Sequence, residues 1–395
     1  MIDPRPRVLY LTHRVPFPPD KGDRIRNFHL LRQLATRSRV WLASLADEPV
    51  SAESLHVLEG LCERVAIVPV RPRLRWVRAA LSLGRGRSLS EGAFREPRLT
   101  KLLREWSTAE PFHAAVASAS SVAPYLRDAL TGTPSVIDVM DVDSQKWVDF
   151  AEHKRGPKRW LYLLEGRRVR KLERDLPRWA KAVSLVSRAE ADVFDSIAGK
   201  GTALAAANGV DLEYFQPRRD PEQPACAFVG ALDYLPNVDA AEWFAHEVWP
   251  RVRERHPNAE FRLVGRKPTP TVQKLASLPG VKLIGQVPDV RPHLASAAIA
   301  IVPLRLARGL QNKVLEALAM SKATIASPAA LAALRVEPGT HLLSASTPAE
   351  WVEAISSLLV NEPRRRELGE AGRRFVEANH NWEDCLAPLV ERILT

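Results

Sequence analysis

The feature that most limits the fold is an alternation: short apolar runs, each followed by a longer stretch able to form a helix. In the first half these runs are residues 7–12 (RVLYLT), 39–45, 65–70 and 135–139. A second series begins at 225–230 (ACAFVG) and continues through 260–265, 281–285, 298–303 and 322–327. Runs this short and this continuously apolar suit strands of a parallel sheet covered on both faces, and the segments between them supply the crossover helices that parallel neighbours require. Between the two series lies the polar, proline-containing stretch 216–224 (QPRRDPEQP), which reads as a linker. A chain of 395 residues therefore reads as α/β, with two Rossmann-like domains. The expected division is a first domain over 1–207, a connection over 208–224, a second domain over 225–380, and a C-terminal helix over 381–395 that packs back on the first domain.

In open parallel sheets a ligand sits beyond the carboxyl ends of the strands, where loops and helix N-termini converge. Two such sheets facing across a cleft suit bisubstrate group transfer, one domain holding a donor and the other an acceptor. Fold alone does not assign that function, so the residues at those strand ends must carry it.

The most informative segment is 302–320 (VPLRLARGLQNKVLEALAM), which reads as strand, glycine-containing loop, helix. Gly309 allows close approach of the backbone, and the helix that follows offers free N–H groups at its positive end, a site for a diphosphate. Arg305, Arg308 and Lys313 add cations around that point. A departing nucleoside diphosphate gains negative charge in the transition state, so such groups lower the barrier without a metal. Glu316 lies about one turn beyond Lys313 on the same helical face, placed to accept hydrogen bonds from ribose hydroxyls. Gly230, at the end of the first strand of the second series, is a further point of ligand approach.

In the first half, the loop 18–23 (PPDKGD) follows the first strand and leads into a helix, so Gly22 and its neighbours can turn N–H groups toward donor phosphates. His13, Asp141 and Asp143 fall where carboxyl-end loops should point and are candidates to orient an acceptor hydroxyl or take its proton.

The segments 208–211 (NGVD), 214–217 (YFQP), 228–230 (FVG) and 313–319 (KVLEALA) together resemble the retaining glycosyltransferases of the GT-B fold, glycosyltransferase family four. Within that family, residues 7–31 and 138–147 (DVMDVDSQKW) are similar to the sugar transferases of exosortase-associated (PEP-CTERM) exopolysaccharide clusters. The resemblance implies a metal-independent, retaining hexosyltransferase using a UDP- or GDP-type sugar donor, with a glycan or polyprenyl-linked acceptor. It also implies that attack occurs on the face of departure, the leaving phosphate helping to remove the proton. Two departures from the family pattern stand out. The family places a second glutamate eight positions before Glu316, where this chain has Arg308, and its donor-phosphate arginine and lysine would fall at Ala231 and Pro236. Arg305 or Arg308, with Lys313, is expected to take over that neutralisation. The segment 208–211 is expected to form a structural turn without chemistry.

Charge is uneven. Residues 1–200 hold 35 lysines and arginines against 24 acidic residues, whereas the remainder holds 22 of each. The excess concentrates in 71–104 and 154–181, each with a net charge of +8, which suits an anionic membrane surface or a nucleic acid. The run 71–83 (RPRLRWVRAALSL) interleaves cations with Trp76, Val77, Leu81 and Leu83, as a short interfacial helix does. No RNP, KH or zinc-finger pattern accompanies the patches, so an inner-membrane surface is the expected partner and no nucleic acid is. The alternatives are a nucleotide-sugar epimerase of the same fold or a basic nucleic-acid-binding protein. No apolar run nears the roughly 18 residues that span a bilayer, and the N-terminal residues lack a signal-peptide core, so a cytoplasmic location is expected. Cys62, Cys226 and Cys385 form no pair, and the ten histidines form no ligand pattern. Buried thiols, no metal and no cofactor beyond the sugar donor are the expectations.

Overall fold

The computed structural model describes residues 3–152, 154–218, 220 and 222–395; Arg219 and Pro221 of the expected linker lie outside them. The chain divides into two compact units, Met1–Ala207 with Leu386–Thr395, and Asn208–Cys385.

The first unit is built on seven strands: β1 (Arg7–Thr12), β2 (Arg39–Ala46), β3 (Arg64–Pro69), β4 (Ala114–Ser118), β5 (Ser135–Met140), β6 (Ala182–Leu185) and β7 (Ala203–Ala205). They pair in the order β3-β2-β1-β4-β5-β6-β7, every neighbour parallel. From β1 the chain steps outward to β3, then crosses back to lay β4 on the other side, so the strand order reverses between β1 and β4. That is the point at which open parallel sheets leave a crevice at the carboxyl ends. β4 was not expected from the sequence, and it lies at the centre, all five residues (AAVAS) buried. β6 and β7 were also unforeseen.

Under the sheet the helix Gly22–Arg37 carries Arg26, wholly buried and paired with wholly buried Asp138 of β5 at 2.8 and 2.9 Å. Arg26 Nη1 also donates to the Ala206 carbonyl at 2.9 Å. With its donors satisfied in this way, the ion pair locks β1's helix onto β5 and the end of β7. The unit closes with chain from the far end of the sequence. Leu386, Leu389, Val390 and Ile393 of the helix Trp382–Leu394 are buried, and His113 Nε2 meets the Leu394 carbonyl at 2.9 Å.

The second unit holds β8 (Gln223–Val229), β9 (Glu260–Val264), β10 (Val281–Gly285), β11 (Ala297–Val302), β12 (Thr324–Ala326) and the unforeseen two-residue β13 (Leu343–Ser344). Their order is β10-β9-β8-β11-β12-β13, again parallel throughout, with the reversal between β8 and β11. β8 starts at Gln223, inside the stretch read as linker. Residues 208–211, expected as a turn, instead run as irregular chain with Val210 bridging Asn381, and the turn follows at 212–214; the Asn208 carbonyl meets His380 Nδ1 at 2.9 Å, and the Asn208 side chain donates to Asn312 Oδ1 at 3.0 Å. Gly209 lies so close to the Trp382 backbone that a Cβ would stand 2.5 Å from its nitrogen. Cys62 and Cys226 are buried, and burial pushes both thiols up to about 12. Cys385 departs from the expectation: it is partly exposed.

Candidate functional site

In the second unit the two loops flanking the reversal point are 230–234, after β8, and 303–311, after β11. Gly309 takes φ +60°, a left-handed conformation that glycine adopts without strain. It leads to the helix Asn312–Ala319, whose N-cap Gln311 makes no side-chain cap and whose first turn contains no acidic residue. Its free N–H groups and Lys313 thus stand together at the positive end of the helix.

Lys313 Nζ donates to Asn237 Oδ1 at 2.6 Å, and Asn237 Nδ2 donates to the Ala231 carbonyl at 2.8 Å. Asn237, on the helix Leu235–Trp243, therefore ties the ammonium group to the loop after β8. Gly230 is explained by the same contact, since a Cβ there would fall 2.8 Å from Asn237 Nδ2. A Cβ at Gly265 would collide with the Gly230 carbonyl, so the chain after β9 approaches the end of β8 as only a glycine at 265 allows.

Glu316 sits on the same helix as Lys313 and is partly accessible, yet its carboxylate has no hydrogen bond or ion pair among the described residues. Desolvation pushes its pKa up to about 7 against the attraction of Lys313. Desolvation likewise brings Lys313 down to about 8, Glu316 opposing. Asn312 Nδ2, at the start of this helix, is buried without a partner. A desolvated carboxylate without donors is unfavourable, so these groups stand ready for a ligand bearing hydroxyls and an anion.

The remaining cations are placed differently. Arg305 forms a bidentate pair with Asp239 at 2.5 and 3.0 Å, half its side chain exposed, and lies 5.8 Å from the Trp243 ring centroid. Arg308 is half-buried in the loop, its carbonyl accepting from Gln311 Nε2 at 2.8 Å. Arg266, not singled out from the sequence, follows β9 at the same sheet edge, where its carbonyl accepts from Leu232 N at 2.9 Å. Asn237 and Asp239 were also missed. Each meets its cation across 76 and 66 residues respectively, a separation that leaves no local pattern to read.

In the first unit His13 follows β1 directly at the reversal point. Its Nδ1 lies 3.2 Å from the Ser118 carbonyl at the end of β4, and its Nε2 lies 3.0 Å from Asp23 Oδ2. Both ring nitrogens thus face acceptors, which fixes the ring and leaves neither nitrogen without a partner. Burial acts to raise the Asp23 carboxyl, but hydrogen bonds and charge from His13 and Arg14 outweigh it and hold the group well below the usual range. Gly22 is exposed at the first position of its helix, which has no side-chain cap. Asp141 follows Met140, whose φ is +71°, at the carboxyl end of β5. Asp143 opens the helix Asp143–Glu152 and accepts from Ser120 Oγ at 2.9 Å. All four expected residues of this unit lie in the segments that follow β1 or β5, His13 and Asp141 directly after the strands and Gly22 and Asp143 at the starts of the next helices, with β4 between the two strands. Among the described residues no group of three His, Cys, Asp or Glu side chains could hold a metal ion.

Both units thus carry a polar constellation at the reversal point of a doubly wound sheet, and the fold is GT-B. It resembles HepE of Anabaena, solved with UDP and glucose, at a TM-score of 0.71 and 14% identity, covering 98% of this chain and 99% of that one. Sucrose-phosphate synthase of Thermosynechococcus elongatus is similar at a TM-score of 0.71 and 16% identity, covering 98% of each chain. Residues 223–361, most of the second unit, match the family described as Glycosyl transferases group 1. The GDP-mannose-dependent monoacylated alpha-(1-6)-phosphatidylinositol monomannoside mannosyltransferase of Corynebacterium glutamicum is 31% identical over 45% of this chain and 52% of its own length. The chain spans about half, or less, of the length of the curated relatives it matches.

Proposed function

We propose that the protein is a glycosyltransferase that moves a hexose from a nucleoside-diphosphate sugar of UDP or GDP type to a glycan or polyprenyl-linked acceptor. In this reading it retains anomeric configuration, needs no metal and works in the cytoplasm in exopolysaccharide assembly. The observation that carries it is the pair at the second unit's reversal point: Lys313 at an uncapped helix end and Glu316 with its carboxylate unpartnered. Ribose hydroxyls donate to Glu316 and supply the hydrogen bonds it lacks. The diphosphate lies against the N–H groups of residues 312 and 313 and the Lys313 ammonium, with Arg308 and Arg266 on the flanking loops. As the glycosidic C–O bond breaks, charge grows on the leaving phosphate, and these donors, already oriented, stabilise it. The leaving oxygen takes the acceptor's proton on the same face. In the first unit, the His13–Asp23 pair and Asp143 orient the acceptor.

The family match over residues 223–361 supports the donor assignment. Titration calorimetry with UDP, GDP and ADP tests it first. One nucleotide binding stoichiometrically is the expected result, and no binding by any of the three overturns the reading. NMR of the product anomer formed from the matching sugar then tests retention.

A further inference from the structure

Two basic stretches that lie far apart in sequence adjoin in the first unit. The helix Pro72–Gly84 belongs to one, the helix Gly156–Asp175 to the other. Glu165 accepts from the Leu89 and Ser90 nitrogens at 2.6 and 2.8 Å, and Arg168 donates to the Gly86 carbonyl at 2.8 Å. These contacts seat the second helix beside the turn that ends the first.

The Pro72–Gly84 helix buries one face tightly. Ala79 and Ser82 are buried, and Gly92 beneath them has no room for a Cβ, which would lie 2.4 Å from Ser82 Cβ. Arg75 also turns inward, 5.0 Å from the Phe94 ring centroid, and Arg78 pairs with Glu96 at 2.8 Å. The outward half is the unusual one. Leu74, Val77 and Leu81 form an i, i+3, i+7 stripe, each 44–54% exposed, and Trp76, on the opposite flank of that half, is 71% exposed. Arg71 and Arg73 are exposed at one end and Arg85 at the other, with no acidic residue anywhere in 71–90. Cations at the positive end of a helix are unfavourable without an anion to answer them.

We propose that this face docks on an anionic phospholipid bilayer, the apolar side chains entering the headgroup boundary and the arginines meeting lipid phosphates. The match is one of chemistry. A bilayer presents anionic phosphates and hydrocarbon within a few ångströms of each other, whereas a nucleic acid offers the aliphatic stripe nothing to enter, and a second copy of the chain would bring the same cations against these. The proposal does not depend on the donor assignment.

The test is co-sedimentation of the full chain with phosphatidylcholine vesicles, with and without phosphatidylglycerol, over a salt series. Sedimentation with anionic vesicles, weakening as salt rises, is expected, along with little with phosphatidylcholine alone. The double variant Arg71→Ser/Arg73→Ser loses about fivefold in partitioning per arginine, roughly 25-fold together, from the usual contribution of a basic residue near such a surface. Trp76→Ser/Leu81→Ser also loses binding, while circular dichroism and melting temperature match the parent because these side chains face water. Equal sedimentation of parent and variants overturns the proposal. So does binding to single-stranded RNA without binding to vesicles, or a dimer in solution that Trp76→Ser/Leu81→Ser dissociates.

Discussion

Replacing Glu316 by glutamine separates what the site does for stability from what it does for binding. In the folded chain desolvation raises this carboxyl from the ordinary 4.5 to about 7. A raised acid pKa means that the ionised form is disfavoured by folding. The penalty is absent below about pH 4.5, grows between 4.5 and 7, and is constant above. At 1.36 kcal/mol per unit the full shift, the attraction of Lys313 already included, corresponds to roughly 3 kcal/mol; solvent reaching the partly accessible carboxylate reduces it to about 2 kcal/mol. Glu316→Gln keeps the shape and removes the charge, so the variant is expected to be more stable than the parent at pH 8 and equal to it at pH 4.5. For a unit of this size that is about 4–8 °C in melting temperature at pH 8. The same variant should bind the nucleoside diphosphate more weakly, because an amide is a poorer acceptor for two ribose hydroxyls than a carboxylate. Scanning calorimetry across pH, paired with titration calorimetry, reads both quantities. A variant that is less stable at pH 8, or that binds as tightly as the parent, refutes the idea that Glu316 is held unpartnered for a ligand.

Lys313→Ala should weaken nucleoside-diphosphate binding about tenfold or more while leaving the free nucleoside little affected, as comparative titration would reveal. In the parent the ammonium is charged below about pH 8 and Glu316 is ionised above about pH 7, so diphosphate affinity should peak between those values and fall on either side. Arg26→Met leaves Asp138 charged and buried without its partner and should cost about 3–5 kcal/mol in urea unfolding. Arg26→Met/Asp138→Leu should recover most of that, since an apolar pair of similar volume needs no desolvation of charge.

Strands with branched side chains were legible as apolar runs, among them β1, β2, β5, β9 and β10. β4 was not, although it is the central strand beside β1, because AAVAS has the composition of a helix as much as of a strand; only tertiary burial decides it. β13 is two residues long and held by one neighbour, too short to leave any period. In the site, Lys313 and Glu316 could be found because both lie one helical turn apart in one segment. Their environment could not be found. Asn237 enters through a glycine gap 7 residues upstream and a lysine 76 residues downstream, and Arg305's commitment to Asp239 is likewise a matter of packing. The meeting of the two basic stretches depends on Glu165 and Arg168, residues whose types suggest only a solvated helix face.

The last ten residues complete the first unit, with Leu386, Leu389, Val390 and Ile393 buried there. A ribosome making this chain therefore finishes the second unit before the first can close its surface. Until then the opening 207 residues must wait with an apolar seat uncovered, exposed to other nascent chains and chaperones alike. Cutting the gene after Ala207 would freeze that waiting state rather than yield a free-standing half.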